Sequence, residues 1–448
     1  VKGLALALLL AAPAGAETPR FRLSMAEAES AARAHSPALK AAVEESLGGG
    51  DASDERFAAL LPRLTLDGSY RYQTEVPRFS PVPGQPAQPF GDHRATSIGP
   101  TVTWTLWDQG SLYKTWRAQK ARAASADEQR RLADRQATLS ARLAYVQVQL
   151  AGQQMRELAD SLALSEAEYK DIDNRFKAGA VSRIDTLSSH QESLQRRKQL
   201  LQAQADLGAS LRELLQLVGL GESLDLARPL DASLSSAAPS GLAAATLLVD
   251  LDRLDAPQPA LSAAEGWGLD AGHPRVAAYA RQAEAARLTA SSLNAGRGPV
   301  IKLQGRASYD YPNGPVLESV TQKSVGLTAS LPLFEGRQTA RAVSEQKHLA
   351  GAAESRRELA SEELKRDWDT ARDALGSLRA QQAVDERSVV ETEELTRLVY
   401  LSYKGGRSTY LEVQSANLRA LEAKVQAART RAQVLIQLSA LANLAVQG

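Results

Sequence analysis

The chain has 448 residues and a net charge of +1, so no whole-molecule field recruits nucleic acid. It contains no cysteine, which excludes disulfides, thiolate metal sites, cysteine nucleophiles and an acylated N-terminal cysteine. The length is ample for a large core or for several domains.

Residues 1–16 read as a secretion signal. Lys2 supplies the positive end, Leu4 to Ala12 form a short apolar run, and Ala14-Gly15-Ala16 is a small-x-small cleavage site, so the mature chain is expected from Glu17. That run is far shorter than the roughly 20 residues that span a bilayer, and no later stretch is longer and comparably apolar, so no transmembrane helix is expected.

Ser24-Met25-Ala26-Glu27 is a capping box that starts a helix to about His35, and Pro37 suits the first turn of a second helix to about Leu60. At Pro62 the hydrophobic period changes to two. Leu64, Leu66, Gly68, Tyr70 and Tyr72 alternate with Arg63, Thr65, Asp67, Ser69 and Arg71, and Ile98, Val102, Trp104 and Leu106 repeat the pattern after a Pro/Gly-rich loop, 76–91. These two strands form a predicted hairpin over 62–107. A Pro-free helix follows over 109–174, ends at Gly179, and returns as a shorter helix over 182–218. Residues 221–272 break the pattern with Pro, Ser and Gly and read as a connector with a small equatorial subdomain, in which Gly241 to Leu251 suits a short helix.

The remainder, 273–448, repeats what 17–220 contains. A hairpin over 299–334 sets Ile301, Leu303, Gly305, Ala307 and Tyr309, then Val325, Leu327, Ala329, Leu331 and Leu333, on one face. A long helix over 337–402 ends at Gly405-Gly406, and a return helix covers 409–444. Phe176 recurs as Tyr403 and Gly99 as Gly326, a spacing of 227, whereas Pro62 recurs as Pro299 and Pro37 as Pro274, a spacing of 237. The change of ten is confined to the first hairpin loop. Two copies of one supersecondary unit point to a quasi-symmetric assembly. The return helices carry seams at Leu187, Leu194, Leu201 and Leu215, and at Leu418, Leu421, Val425, Ala428, Ala432 and Leu435.

Four alternating strands with one apolar face fit a membrane β-barrel or an amphipathic sheet covered by helices; the secretion signal and the two helices of about 100 Å favour the barrel. An open four-stranded sheet leaves unpaired backbone in hydrocarbon, so the barrel reading demands several copies of the chain. Twelve of the 22 aromatic residues fall in 57–116 and 300–335, where Tyr70, Tyr72, Trp104, Trp107, Tyr309 and Phe334 are candidates for membrane-interface girdles.

The pattern resembles the TolC family of outer-membrane efflux proteins. Its marks are Arg175-Phe176-x-Ala178-Gly179-x-x-Ser182-x-Ile184-Asp185-x-Leu187, the echo Tyr403-x-x-Gly406-x-x-Thr409-x-Leu411-Glu412-Val413, and Leu331-Pro332-Leu333-Phe334-Glu335-Gly336, within a likeness covering about residues 20–445. The resemblance implies a mainly α fold with a membrane β-barrel portion: a homotrimer with four strands per protomer in a 12-stranded barrel, and a periplasmic α-helical tunnel narrowing at the Gly turns. It implies a passive exit duct in outer-membrane lipid, docking with a periplasmic adaptor and an inner-membrane transporter of a tripartite efflux or type I secretion system. A periplasmic adaptor or a coiled-coil scaffold are the alternatives, and neither accounts for the duplicated strands.

Asp185 and Glu412 each lie six residues after the turn glycine. In a trimer they form a carboxylate ring at the pore, with Tyr403, Lys404 and Arg407 as latch partners, or they cap the return helices. An acidic residue familiar beside the second tip is Ser415 here. The turns Gly179, Ala180, Val181 and Ser182, and Gly406, Arg407 and Ser408, are the expected adaptor contacts. No phosphate loop occurs, the five histidines lack ligand spacing, and two methionines make no soft-metal relay, so no enzyme, cofactor or metal site is expected.

Overall fold

The structure is a computed structural model, and it describes residues 20–80, 86, 88–89, 91–221, 230–233, 247–314 and 316–446. The expected secretion signal lies outside the described residues. In chain order, strand β1 (Arg20–Leu23) precedes helices α1 (Met25–His35) and α2 (Pro37–Ala58). Then come β2 (Arg63–Tyr72), the two-residue strands β3 (Arg78–Phe79) and β4 (Gln88–Pro89), and β5 (Arg94–Trp107). Helices α3 (Ser111–Lys177) and α4 (Arg183–Leu217) follow, then β6 (Leu230–Ser233), β7 (Leu247–Leu251), α5 (Pro259–Ala263) and a 3-10 turn, Ala264–Gly266. The last elements are α6 (Pro274–Ala295), β8 (Val300–Tyr311), β9 (Val320–Ser330), α7 (Gln338–Lys404) and α8 (Tyr410–Leu444).

The chain divides into two compact units. The strand-bearing unit comprises Ala41–Arg131 and Pro274–Glu362. Its sheet has the order β2-β5-β8-β9, antiparallel throughout. Both hairpins form, and β5 joins them by pairing with β8. The register carries the alternation across all four strands. Leu64 faces Val102, Val102 faces Gly305, and Gly305 faces Val325, so one face is apolar from edge to edge. Arg63, Thr65, Asp67, Gln304, Arg306 and Ser324 occupy the other. There Arg306 Nη2 donates to Ser97 Oγ at 2.8 Å, and Ser97 Oγ donates to Asp310 at 2.5 Å. The helices of this unit pack through small residues. Ala118, Ala121, Ala278, Ala283 and Ala290 are buried, and Ser125 Oγ donates to the Ala278 carbonyl at 3.0 Å.

Between β5 and β8 the backbones approach so closely that only glycine fits. A Cβ on Gly99 would stand 2.0 Å from the Ala307 carbonyl oxygen and 2.5 Å from Ser308 Cα. The obstruction is backbone in a paired strand, which cannot yield without breaking the ladder.

The helical unit comprises Leu132–His273, Glu363–Gly448 and the described residues up to Lys40. Its three-stranded parallel sheet has the order β1-β7-β6. The expected helix over Gly241 to Leu251 is corrected here: residues 247–251 form the central strand, and residues 241–246 lie outside the described residues. Leu247-Leu248-Val249-Asp250-Leu251 is paired on both sides, and such pairing overrides helix propensity. Tyr145 pins this sheet to α3. Its hydroxyl donates to the Leu23 carbonyl and accepts from Asp252 N, both at 3.0 Å. Arg135 binds Asp270 at 2.6 Å and the Asn443 carbonyl at 3.2 Å. Leu207, Leu211, Leu214, Leu215, Leu438 and Leu441 fill the main core.

A second, smaller cluster holds Ile172, Tyr403, Tyr410 and Val413. Beside it lies a buried acid. Glu168 is 3% exposed, and both its oxygens accept from Asn417 Nδ2, at 3.1 and 3.0 Å. Burial pushes the Glu168 carboxyl up to about 7, against a smaller opposing pull from the Asn417 hydrogen bond.

Two predictions follow from these contacts. Gly99→Val is expected to cost at least about 3 kcal/mol, the upper range of overpacking penalties. Thermal unfolding in detergent, compared with Gly326→Val, where an added Cβ meets open space, measures it. For Glu168, the folded chain holds a proton between the ordinary 4.5 and about 7 that the unfolded chain has lost. Stability from this group is full below that window and lost as pH rises through about 7. The unfolding midpoint of the native chain is expected to fall more between pH 5.5 and 8.5 than that of Glu168→Gln.

Candidate functional site

Both long helices stop the same way. Gly179 and Gly406 have φ of +77° and +73°, which an L side chain rarely adopts. Gly179 N donates to the Phe176 carbonyl and Ala180 N to Arg175; Gly406 N donates to Tyr403 and Arg407 N to Ser402. These are two Schellman motifs, related residue for residue by the spacing of 227. An added Cβ at either glycine meets nothing within 4 Å. Around them Ser182, Arg407 and Thr409 are exposed, and Val181 and Ser408 are half-buried. Gly179, Ala180 and Gly406 are exposed as well.

The return helices start differently. Thr409 and Glu412 form a reciprocal box: Thr409 N donates to Glu412 Oε2 at 3.0 Å, and Glu412 N donates to Thr409 Oγ1 at 3.4 Å. At the first tip Asp185 N donates to Ser182 Oγ at 3.2 Å, and the Asp185 carboxylate makes no return bond to the cap. The Glu412 carboxylate is engaged in capping; that of Asp185 stands half-buried at the helix start.

Near the turns, α3 and α7 are linked through an acid that the sequence pattern does not single out. Asp171 Oδ2 on α3 accepts from the Tyr400 hydroxyl on α7 at 3.1 Å. Arg175 Nε lies 3.4 Å and Lys404 Nζ 3.9 Å from the same oxygen. Lys404 Nζ also sits 4.6 Å over the Tyr400 ring. Burial, and then the Asp171 charge, raise the Tyr400 phenol above its ordinary range, so it stays a donor. Among the expected latch residues, Lys404 joins this hub and Arg407 is exposed away from it. Tyr403 is 7% exposed, inside the bundle, with its ring centroid 5.7 Å from that of Tyr410 and the Arg175 guanidinium 5.9 Å away. The only sequence signal for the hub is the Asp171–Arg175 spacing of four on one helix face.

The seam expected along α4 is uncovered within the chain. Leu187, Leu194 and Leu201 are exposed, while Leu215 is fully buried. On α8, Leu418 is exposed, but Leu421, Ala428 and Ala432 are buried. An open groove between the two helices is lined by Leu187, Gln191, Gln195, Leu411, Gln414 and Leu418.

The apolar sheet face places its aromatics at two levels. Tyr70, Tyr72 and Tyr309 stand towards the hairpin loops, whereas Trp104 and Trp107 stand where β5 leads into α3, and Phe334 precedes α7. All six are exposed. Trp104 pairs with Leu303, which lies six residues before Tyr309 on β8, a separation of about 20 Å. Exposed Leu64, Leu66, Ile98, Val102, Val325 and Leu327 lie on the face between these levels. Among the described residues no helix is long and apolar enough to cross a membrane, and no group of three His, Asp or Glu gathers to hold a metal.

Comparison with known proteins agrees with this architecture. A search of curated proteins finds no match. Among solved structures, the outer membrane protein VceC from Vibrio cholerae superposes with a TM-score of 0.74 at 16% identity, over 94% of this chain and 95% of that one. CusC gives 0.73 at 14% identity over 97% and 94%, and the open-state MtrE outer membrane channel from Neisseria gonorrhoeae gives 0.70 at 18% over 94% and 88%. At such identities these likenesses establish the fold. The family model for outer membrane efflux proteins matches residues 29–220 and 269–445, taking in both repeats and most of the chain. The chain therefore belongs to the outer membrane efflux protein family, as an outer-membrane channel with a periplasmic helical portion, not an enzyme.

Proposed function

We propose that the protein is the exit duct of a tripartite efflux or type I secretion system, working as a homotrimer with a periplasmic adaptor and an inner-membrane transporter. The observation that carries this reading is the four-stranded sheet with an apolar face and, among the described residues, two open edges, β2 and β9. Hydrocarbon tolerates no unpaired backbone, so each edge needs the opposite edge of a neighbouring copy. Three copies give twelve strands, and the aromatic levels then form two girdles bounding an apolar band. The uncovered α4 leucines supply a surface for packing between copies. Residues 17–220 and 273–448 act as the two repeats, with 221–272 as the connector after a signal at 1–16.

The tips are the proposed entrance. Asp171 holds α3 to α7 through the Tyr400 hydroxyl and the Lys404 ammonium, and opening must break these two contacts. Asp185 is the better candidate for a carboxylate ring, because the Glu412 carboxylate is occupied by its cap. The Schellman turns, with space outside each glycine, are the proposed adaptor contacts.

Purified protein is expected to run in detergent at three times the chain mass and to conduct in planar bilayers. Asp171→Asn with Tyr400→Phe is expected to raise single-channel conductance severalfold. A monomer would overturn the duct reading; a conducting trimer with unchanged conductance in the double variant would overturn only the latch. At the turns, Gly179→Trp and Gly406→Trp are each expected to cost about 1–2 kcal/mol of helix-end stability. The trimer should still assemble, and efflux measured in cells should drop at least tenfold if the adaptor docks there.

A further inference from the structure

We propose, on the trimeric barrel reading above, that Arg63 and Lys302 form a basic belt inside the barrel, at its end nearest the helices, which makes the duct favour anionic solutes. In a membrane barrel the apolar face meets lipid and the polar face lines the lumen. The side-chain period of two then fixes which residues line it.

The pairing register sorts the polar face into rows. Arg63 faces Thr103, Thr103 faces Gln304, and Gln304 faces Gly326. The next row towards α3 holds Thr105, Lys302 and Thr328. Each of these rows carries a cation and no acid. Arg63 and Lys302 are exposed, and among the described residues neither side chain makes a hydrogen bond or an ion pair. Further out along the strands the signs balance, with Arg71 and Arg306 set against Asp67 and Asp310. There Arg306 donates to Ser97 Oγ, Ser97 donates to Asp310, and Asp67 accepts from Thr65 Oγ1 at 3.3 Å. Asp67 lies four residues along β2 from Arg63, a separation of about 14 Å. On the helix side, the Asp108 carboxylate is turned to the start of α3, accepting from Gly110 N at 3.0 Å and Leu112 N at 2.6 Å.

Three copies therefore set six cations around the lumen within two successive rows, roughly 7 Å apart along the strands. Rings of Arg and Lys side chains select for anions as carboxylate rings select for cations. The neighbours in both rows are hydroxyls and an amide, on Thr103, Thr105, Thr328 and Gln304, which donate to an anion's oxygens without adding negative charge. The field of such a belt reaches across the lumen only where the Debye length is long, about 30 Å at 0.01 M salt against about 3 Å at 1 M. The preference is therefore strong in dilute solution and screened in concentrated salt. Solutes bearing carboxylate or phosphate groups are the cargo that such a lumen concentrates.

The test is the reversal potential of the full chain in planar bilayers under a KCl gradient, for the native protein and for Arg63→Gln with Lys302→Gln. At salt of about 0.01 M the native chloride-to-potassium permeability ratio is expected to exceed that of the double variant by about threefold or more, and the difference is expected to vanish at about 1 M. Each single variant is expected to give part of the shift, so the belt is read even where the double variant fails to assemble. Ratios equal in native and variant channels at low salt, or a difference undiminished at high salt, would overturn the belt and leave the duct standing. A native protein that forms no channel would overturn the duct reading and the belt with it.

Discussion

The constraint on which the architecture rests is the backbone of two edge strands. Among the described residues β2 pairs only with β5, and β9 only with β8, so one side of each presents free N–H and C=O groups. In water such an edge is a liability that charge or bulges blunt. On an apolar face bearing Leu64, Leu66, Val325 and Leu327, water is not the neighbour, and pairing with another copy is the available remedy. Gly99 matters for the same reason. It lets β5 approach β8, which makes two hairpins one four-stranded contribution.

The internal repeat divides labour within a common backbone. Both long helices end in the same Schellman turn, and both return helices start on a hydroxyl cap. The side chains then diverge. Glu at the third helical position reaches back to its cap; Asp, one methylene shorter, does not. The hub at Asp171 has its tyrosine and lysine on the other repeat, so the two halves are bonded to each other close to the turns.

Much of this was legible in the residues. The alternation from Leu64 to Tyr72 reads as a strand because one face is uniformly apolar, and the register then follows. The Ser24–Glu27 and Thr409–Glu412 boxes read as helix starts because the chemistry is local. What was not legible depends on distant partners. Leu247–Leu251 is a strand through pairing with β1 and β6, far away in sequence. Leu187, Leu194 and Leu201 have heptad spacing, but spacing does not say whether the partner is in the same chain. Tyr403 carries a hydroxyl suited to a latch, yet packs inward against Tyr410. The Asp171–Tyr400 bond joins residues 229 apart, and no local rule anticipates it.

The two cores of the helical unit differ in kind, and the difference bears on the proposed entrance at the turns. The main core is lined by leucines, valines and Tyr145, and releasing it would expose a large apolar area. The cluster near the turns has only Ile172, Val413 and two tyrosines fully committed, with Glu168, Asn417 and Asp171 beside it. Hydrogen bonds exchange readily with water, so parting these helices costs far less net free energy than parting an apolar seam. The burial of Glu168 lowers that barrier further above pH 7, where its charge must be carried in the bundle. The proposed entrance, if it closes and reopens, is better held by a few polar bonds than by packing, and the distribution of residues along α3 and α7 suits that proposal.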